Sequence, residues 1–105
     1  MAVGREQILA LAHVAVNSRG RQYGEPEENF GRLAAVWTAL TADRLDVEFD
    51  AHWVAIFLAS LKLVRLAEDP SHQDSWVDLA GYAACGGEIA INHENKENKN
   101  ADGNQ

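Results

Sequence analysis

Between Ala51 and Glu68 the chain carries apolar side chains on nearly every face of a helix: Trp53, Val54, Ile56, Phe57, Leu58, Leu61, Leu63, Val64 and Leu66. A helix apolar all round is buried among other helices. This segment is therefore expected to be the central element of an all-α fold, with the rest of the chain built to cover it. It is short for a bilayer span, and Lys62 and Arg65 interrupt it, so a membrane is not the expected environment.

The covering elements read off the same periodicity. Ile8, Leu9, Leu11, Ala12, Ala15 and Val16 return at spacings of three and four, which predicts a first helix from about Arg5 to Asn17. Ser18, Arg19 and Gly20 offer its stop, with Gly20 suited to a left-handed cap. Arg21 to Pro26 reads as a loop. Pro26 fits the first turn of a second helix, and Glu27 and Glu28 favour its N-terminus. Phe30, Leu33, Ala34, Trp37 and Leu40 carry that helix to about Ala42.

From Asp43 to Asp50 the period lapses. Val47 and Phe49 alternate with acids, but an isolated strand has no partner here, so this is a loop with Asp50 as N-cap of the central helix. Pro70 ends that helix. Ser71, with Asp74 three residues on, is expected to cap a fourth helix reaching about Asn92. Gly81, Ala84 and Cys85 form a strip of small residues along it that admits a neighbouring helix. His93 to Gln105 is almost purely Asn, Glu, Lys, Asp and Gly, the composition of a disordered tail. The expectation is a compact four-helix bundle forming a single helical domain over residues 1–92, followed by a disordered polar tail over 93–105.

Charge narrows the partners. Sixteen acidic residues against nine basic ones give a formal net charge of −7. Such a surface repels a phosphate backbone, so nucleic acid is not an expected partner. A small phosphorylated ligand remains open where a few cations converge, or where a divalent ion bridges carboxylate to phosphate. Cys85 is the single cysteine, so no intramolecular disulfide forms, and a reducing cytoplasm is the expected compartment. The polar opening after Met1 has no signal-peptide character. At 105 residues the core gains only a modest margin over chain entropy, and assembly into a homo-oligomer would widen it.

A few side chains stand out for chemistry. Asp74 and Asp78 lie four apart, so they share one helix face, and bound Mg²⁺ would relieve their repulsion. The alternative is that Asp74 serves the helix N-terminus and Asp78 faces solvent or a basic partner. Lys62 and Arg65 are the only cations in the central helix. They either reach its edge, pair with Asp74 and Asp78 on the next helix, or meet a phosphorylated ligand. Tyr23 and Asn29 bracket the loop into the second helix, where they contact a base or anchor the loop. Glu28 is the one acid of the Glu25–Glu28 run set one turn before Arg32. The four histidines show no zinc-ligand spacing, though His72 stands near Asp74 at a helix start. Cys85 reads as buried and inert.

Three blocks in order resemble a family of short phage and prophage proteins of unknown function: Arg21-Gln22-Tyr23-Gly24-x-Pro26-x-x-Asn29-Phe30, Lys62-x-x-Arg65-Leu66, and His72-x-Asp74-Ser75-Trp76-x-Asp78-x-Ala80-Gly81-Tyr82. More distantly, the plan is similar to the all-α nucleotide pyrophosphohydrolases of the MazG and dUTPase type. Those hold Mg²⁺ with Glu-x-x-Glu and Glu-x-x-Asp and cut a nucleoside triphosphate to the monophosphate and pyrophosphate. This chain departs from their pattern, with Asp74-x-x-x-Asp78 in place of Glu-x-x-Asp and no Glu-x-x-Glu on its second helix. The resemblance implies a MazG-like nucleotide pyrophosphohydrolase in the host bacterial cytoplasm. Glu28, Asp74 and Asp78 would hold Mg²⁺, Lys62 and Arg65 would face the phosphates, and Tyr23 and Asn29 would contact the nucleoside. The alternatives are a phage module that binds a nucleotide signal without turnover and a protein-interaction module.

Overall fold

The computed structural model describes residues 2–103, and helix is the regular structure found among them. Its elements are α1 (Arg5–Tyr23), α2 (Pro26–Thr41), α3 (Ala51–Glu68) and α4 (Gln73–Gly103). No strand occurs among the described residues, and residues 45–50 form the irregular connection expected. No described helix is long and apolar enough to cross a membrane.

The helix ends follow local chemistry. Gly20 does not stop α1, which runs on to Tyr23. The stop is Gly24, whose φ of 83° lies where a side chain would be strained and whose amide donates back to the Gly20 carbonyl. Pro26 then opens α2 with Glu27 and Glu28 in its first turn. Thr38 Oγ1 accepts from the Phe49 amide at 2.9 Å and so ties the α2–α3 connection down on α2. Asp50 is the N-cap residue of α3, but its side chain makes no capping bond.

The expected Ser71 cap of α4 does not form. Ser71 Oγ and the Ser71 amide both donate to Asp69 Oδ1, at 2.8 and 3.2 Å, which builds the turn on Asp69 instead. The Ser71 hydroxyl is also the main reason the Asp69 carboxyl lies below its ordinary pKa. Trp76 Nε1 donates to the Pro70 carbonyl at 2.8 Å and closes the corner from the other side. At its far end α4 continues as helix through Gly103 rather than stopping near Asn92. Extension of a formed helix adds one hydrogen bond per residue, and His93 and Glu97 pair across one turn at 3.1 Å. Residues 93–99 are nonetheless exposed. Positions 104 and 105 of the expected tail lie outside the described residues.

Packing is uneven around the bundle. α3 lies against α4 and α2, and α1 lies against α4, but α1 meets α2 only briefly and does not reach α3. The core is Phe30, Ala34, Val54, Ala55, Cys85 and Ile89, with Trp37, Phe49, Leu58 and Tyr82 packed onto it. The expectation of an all-round buried α3 is therefore corrected. Val54, Ala55 and Leu66 are buried, whereas Trp53, Ile56, Phe57, Leu61, Leu63 and Val64 are exposed, because α1 covers α4 instead. Nor is the molecule compact. Its radius of gyration is 16.2 Å, against about 13 Å for a globular chain of this length.

Among the glycines, the tightest surroundings lie between α3 and α4. A Cβ added at Gly86 would stand 2.8 Å from the Ala55 Cβ, whereas one at Gly87 would meet nothing within 4 Å. Alanine gains roughly 1 kcal/mol over glycine inside a helix. Gly87→Ala should therefore raise the urea midpoint, and Gly86→Ala should lower it because overpacking costs about 1–3 kcal/mol. Equal shifts of one sign for the two variants would refute this account of the interface.

Candidate functional site

The poorly closed α1–α2 side of the bundle leaves a cleft floored by α4. Its cavity measures about 50 Å³, and its apolar walls come from Val16, Phe30, Val77 and Gly81. Three of the helices also set polar groups around it: Arg19 and Tyr23 from α1, Asn29 from the start of α2, and Asp78, Tyr82 and Cys85 from α4. Gly81 and Gly20 both line the cleft; a Cβ at Gly81 would make an ordinary contact with Val16 Cγ2 at 3.5 Å, and one at Gly20 would meet nothing within 4 Å.

Two of the cleft's groups are held by a neighbour. The Arg19 guanidinium carbon lies 5.8 Å from the centre of the Tyr23 ring, a cation–π contact one helical turn long. Lys62 Nζ reaches from α3 to Asp78 Oδ2 at 2.9 Å. That ion pair is about one-third exposed on both sides, so it contributes less to stability than to fixing the direction of Asp78.

A second polar line runs along the α3–α4 corner. Arg65 Nη2 lies 3.3 Å from His72 Nε2, and His72 Nδ1 lies 2.7 Å from Ser75 Oγ. A guanidinium only donates, so Nε2 must be the acceptor. In that arrangement Nδ1 faces Ser75 Oγ as the donor. Ser75 is almost wholly buried and satisfied by this bond, so the line is a structural clamp on the turn.

The residues singled out from the sequence divide accordingly. Tyr23, Asn29 and Asp78 come together in one cleft, with Lys62 attached to it through Asp78. Arg65 does not join them but clamps His72. Glu28 lies in a separate hollow with Glu25, Glu27 and Glu88. Asp74 is exposed in the first turn of α4 and does not line the cleft. The three expected Mg²⁺ ligands thus do not converge within one chain, and among the described residues no three His, Cys, Asp or Glu side chains are grouped to hold a metal ion.

Arg19, Tyr82 and Cys85 are the cleft residues that sequence reasoning missed. The signal for Arg19 was its spacing of four from Tyr23, which has meaning only once α1 runs through Gly20. Burial raises the Cys85 thiol above its usual pKa, Glu88 adds to that, and Arg19 opposes it. It is held as the neutral thiol rather than as a nucleophile.

Comparison with known proteins adds the family. A model described as a domain of unknown function, DUF6378, matches residues 7–90. The Gene 55 protein of Mycobacterium phage L5 is 40% identical over 77 residues, which are 72% of this chain and 47% of that protein. The Gene 55 protein of Mycobacterium phage D29 is 33% identical over 81 residues, 76% of this chain and 51% of that protein. The chain thus spans about half the length of the curated relatives it matches. No solved structure matches it.

The state of Cys85 has a direct readout. At pH 8 native protein should react with iodoacetamide at least roughly tenfold more slowly than protein unfolded in urea, because a buried, neutral thiol supplies little thiolate. Equal rates would show that the cleft floor is open and the thiol ordinary.

Proposed function

The chain belongs to the DUF6378 family, to which phage proteins are similar, and from its own cleft we propose that it binds a nucleotide. What carries the reading is the meeting of Arg19, Tyr23, Asn29 and Asp78 around one apolar pit. The pit is small enough to take the edge of a planar ring rather than a whole nucleotide. Tyr23 and Tyr82 offer ring faces for a base. Asn29 presents a donor and an acceptor, and Asp78 presents acceptors, so together they read a mixed polar edge. Arg19, at the α1 wall, is the cation for a phosphate left at the rim. Lys62 acts through Asp78 by holding it in place. This arrangement suits a module that holds a nucleotide without consuming it.

A second reading, Mg²⁺-dependent cleavage of a nucleoside triphosphate to monophosphate and pyrophosphate, has one observation in its favour. Asp74 and Asp78 stand one turn apart on α4. It would need Asp78 released from Lys62 and a further carboxylate in place of the distant Glu28.

The thermal midpoint of the protein against a panel of nucleotides, with and without Mg²⁺, tests both. Ligand at a hundredfold over Kd adds about 2.7 kcal/mol to the folded state, which is roughly 10–20 °C for a domain of this size. The expected result is a metal-independent shift that Arg19→Ala and Tyr23→Ala each reduce severalfold. Pyrophosphate release that requires Mg²⁺ and is lost in Asp78→Asn would select the second reading. No shift with any nucleotide would sink both.

A further inference from the structure

Resting on that nucleotide reading, we infer that the cleft selects guanine among the bases and that Asp78 is the residue that reads it. The cavity of about 50 Å³ admits the edge of a ring and no more. The pattern of donors and acceptors along that edge is therefore what the protein can sense. The polar side chains around it are not equivalent. Arg19 can only donate, Asn29, Tyr23 and Tyr82 can donate or accept, and the Asp78 carboxylate can only accept. An acceptor that cannot change roles demands donors opposite it. Lys62 Nζ holds Asp78 Oδ2 at 2.9 Å from the α3 side. A carboxylate offers about four lone-pair sites, so the ion pair fixes its direction and leaves it able to accept two more hydrogen bonds.

Two neighbouring donors on one base edge belong to guanine, which carries N1–H and the 2-amino group with the O6 acceptor beside them. Adenine and cytosine place a ring acceptor next to their single amino group. Uracil and thymine place a carbonyl on each side of N3–H. Each of those edges sets a lone pair against the carboxylate. Asn29 supplies the amide donor that O6 requires. The walls beside these groups are Val16, Phe30 and Val77, which offer no hydrogen bond in place of a mismatched one. A polar group left unpaired in such a site is what separates close analogues. The source of the base follows from charge. A net charge of −7 repels a phosphate backbone, so the base arrives on a free nucleotide, its phosphate at Arg19, and not within a nucleic acid.

The test is titration calorimetry of the full chain with the 5′-mono- and triphosphates of guanosine, adenosine, cytidine, uridine and inosine. Guanosine nucleotides are expected to bind at least about tenfold tighter than the others. Inosine differs from guanosine only in lacking the 2-amino group, so that comparison reads the Asp78 contact in the unaltered protein. In Asp78→Asn the amide donates as well as accepts, which matches xanthine, where a carbonyl replaces the 2-amino group. The variant should lose guanosine binding and gain binding of xanthosine 5′-monophosphate, a reversal that loss of the Lys62 ion pair alone does not produce. A short single-stranded oligonucleotide containing guanine should not compete with guanosine 5′-monophosphate. Equal affinity for guanosine and inosine nucleotides, or preference for any other base, overturns the inference and leaves nucleotide binding standing. So does a folded Asp78→Asn protein that keeps its guanosine preference, or an oligonucleotide that binds more tightly than the free nucleotide. Binding of none of these nucleotides overturns the inference together with the reading beneath it.

Discussion

The close approach of α3 to α4 at Ala55 and Gly86 is the contact on which the rest of the molecule depends. Both positions are free of bulk, so α3 and α4 come together closely and enclose Val54, Cys85 and Ile89. Because α4 is held there, its opposite flank is free to receive α1, with Val16 in contact beside Gly81. Lys62 and Arg65, on the α4 side of α3, then reach Asp78 and His72 directly. Cations in an otherwise apolar helix are thus satisfied at an edge and not in a core, which is the cheaper arrangement.

The same contact explains what is left open. α1 packs on α4 and only brushes α2, so the bundle is closed on three sides and gapes on the fourth. That gap is the cleft. Its walls are apolar because they are the inner faces of amphipathic helices. Its rim is polar because α1 ends at Tyr23 and α2 begins at Pro26, which delivers Arg19, Tyr23 and Asn29 to one edge. The outer side of α3 is the other consequence: none of the four described helices covers it.

Much of this is legible in the residues. The stripe of Phe30, Leu33, Ala34, Trp37 and Leu40 marks α2, and the apolar run closed by Pro70 marks α3, because periodicity and breakers act locally. Gly24 and Gly20 show where local reading fails. Both are glycines after an amphipathic run, and only the chain's actual course decides which one takes the positive φ. The loss of Arg19 from the expected site follows from that choice. Asp69 at the α4 turn is a similar case, in which its carboxylate takes the Ser71 hydroxyl and amide, so that hydroxyl is engaged in the turn and does not cap α4. The pairing of Lys62 with Asp78 was among the alternatives the sequence offered, since α4 follows α3 by a tight turn.

By itself the sequence determined the four helices of the described residues, the extents of α2 and α3 and the irregular connection before α3, since these rest on i to i+4 periodicity and on Gly and Pro chemistry; the C-terminal ends of α1 and α4 lie beyond the expected ones. It also determined that the chain is acidic, with one thiol. The tertiary structure alone decided which face of α3 is covered, that Glu28 stands apart from Asp78, and that Arg19 joins Tyr23 and Asn29 at one cleft. These are long-range relations between helices whose periodicity is compatible with several packings. The choice among those packings is made by the volume available at a few close contacts, such as Ala55 against Gly86, and not by any local pattern.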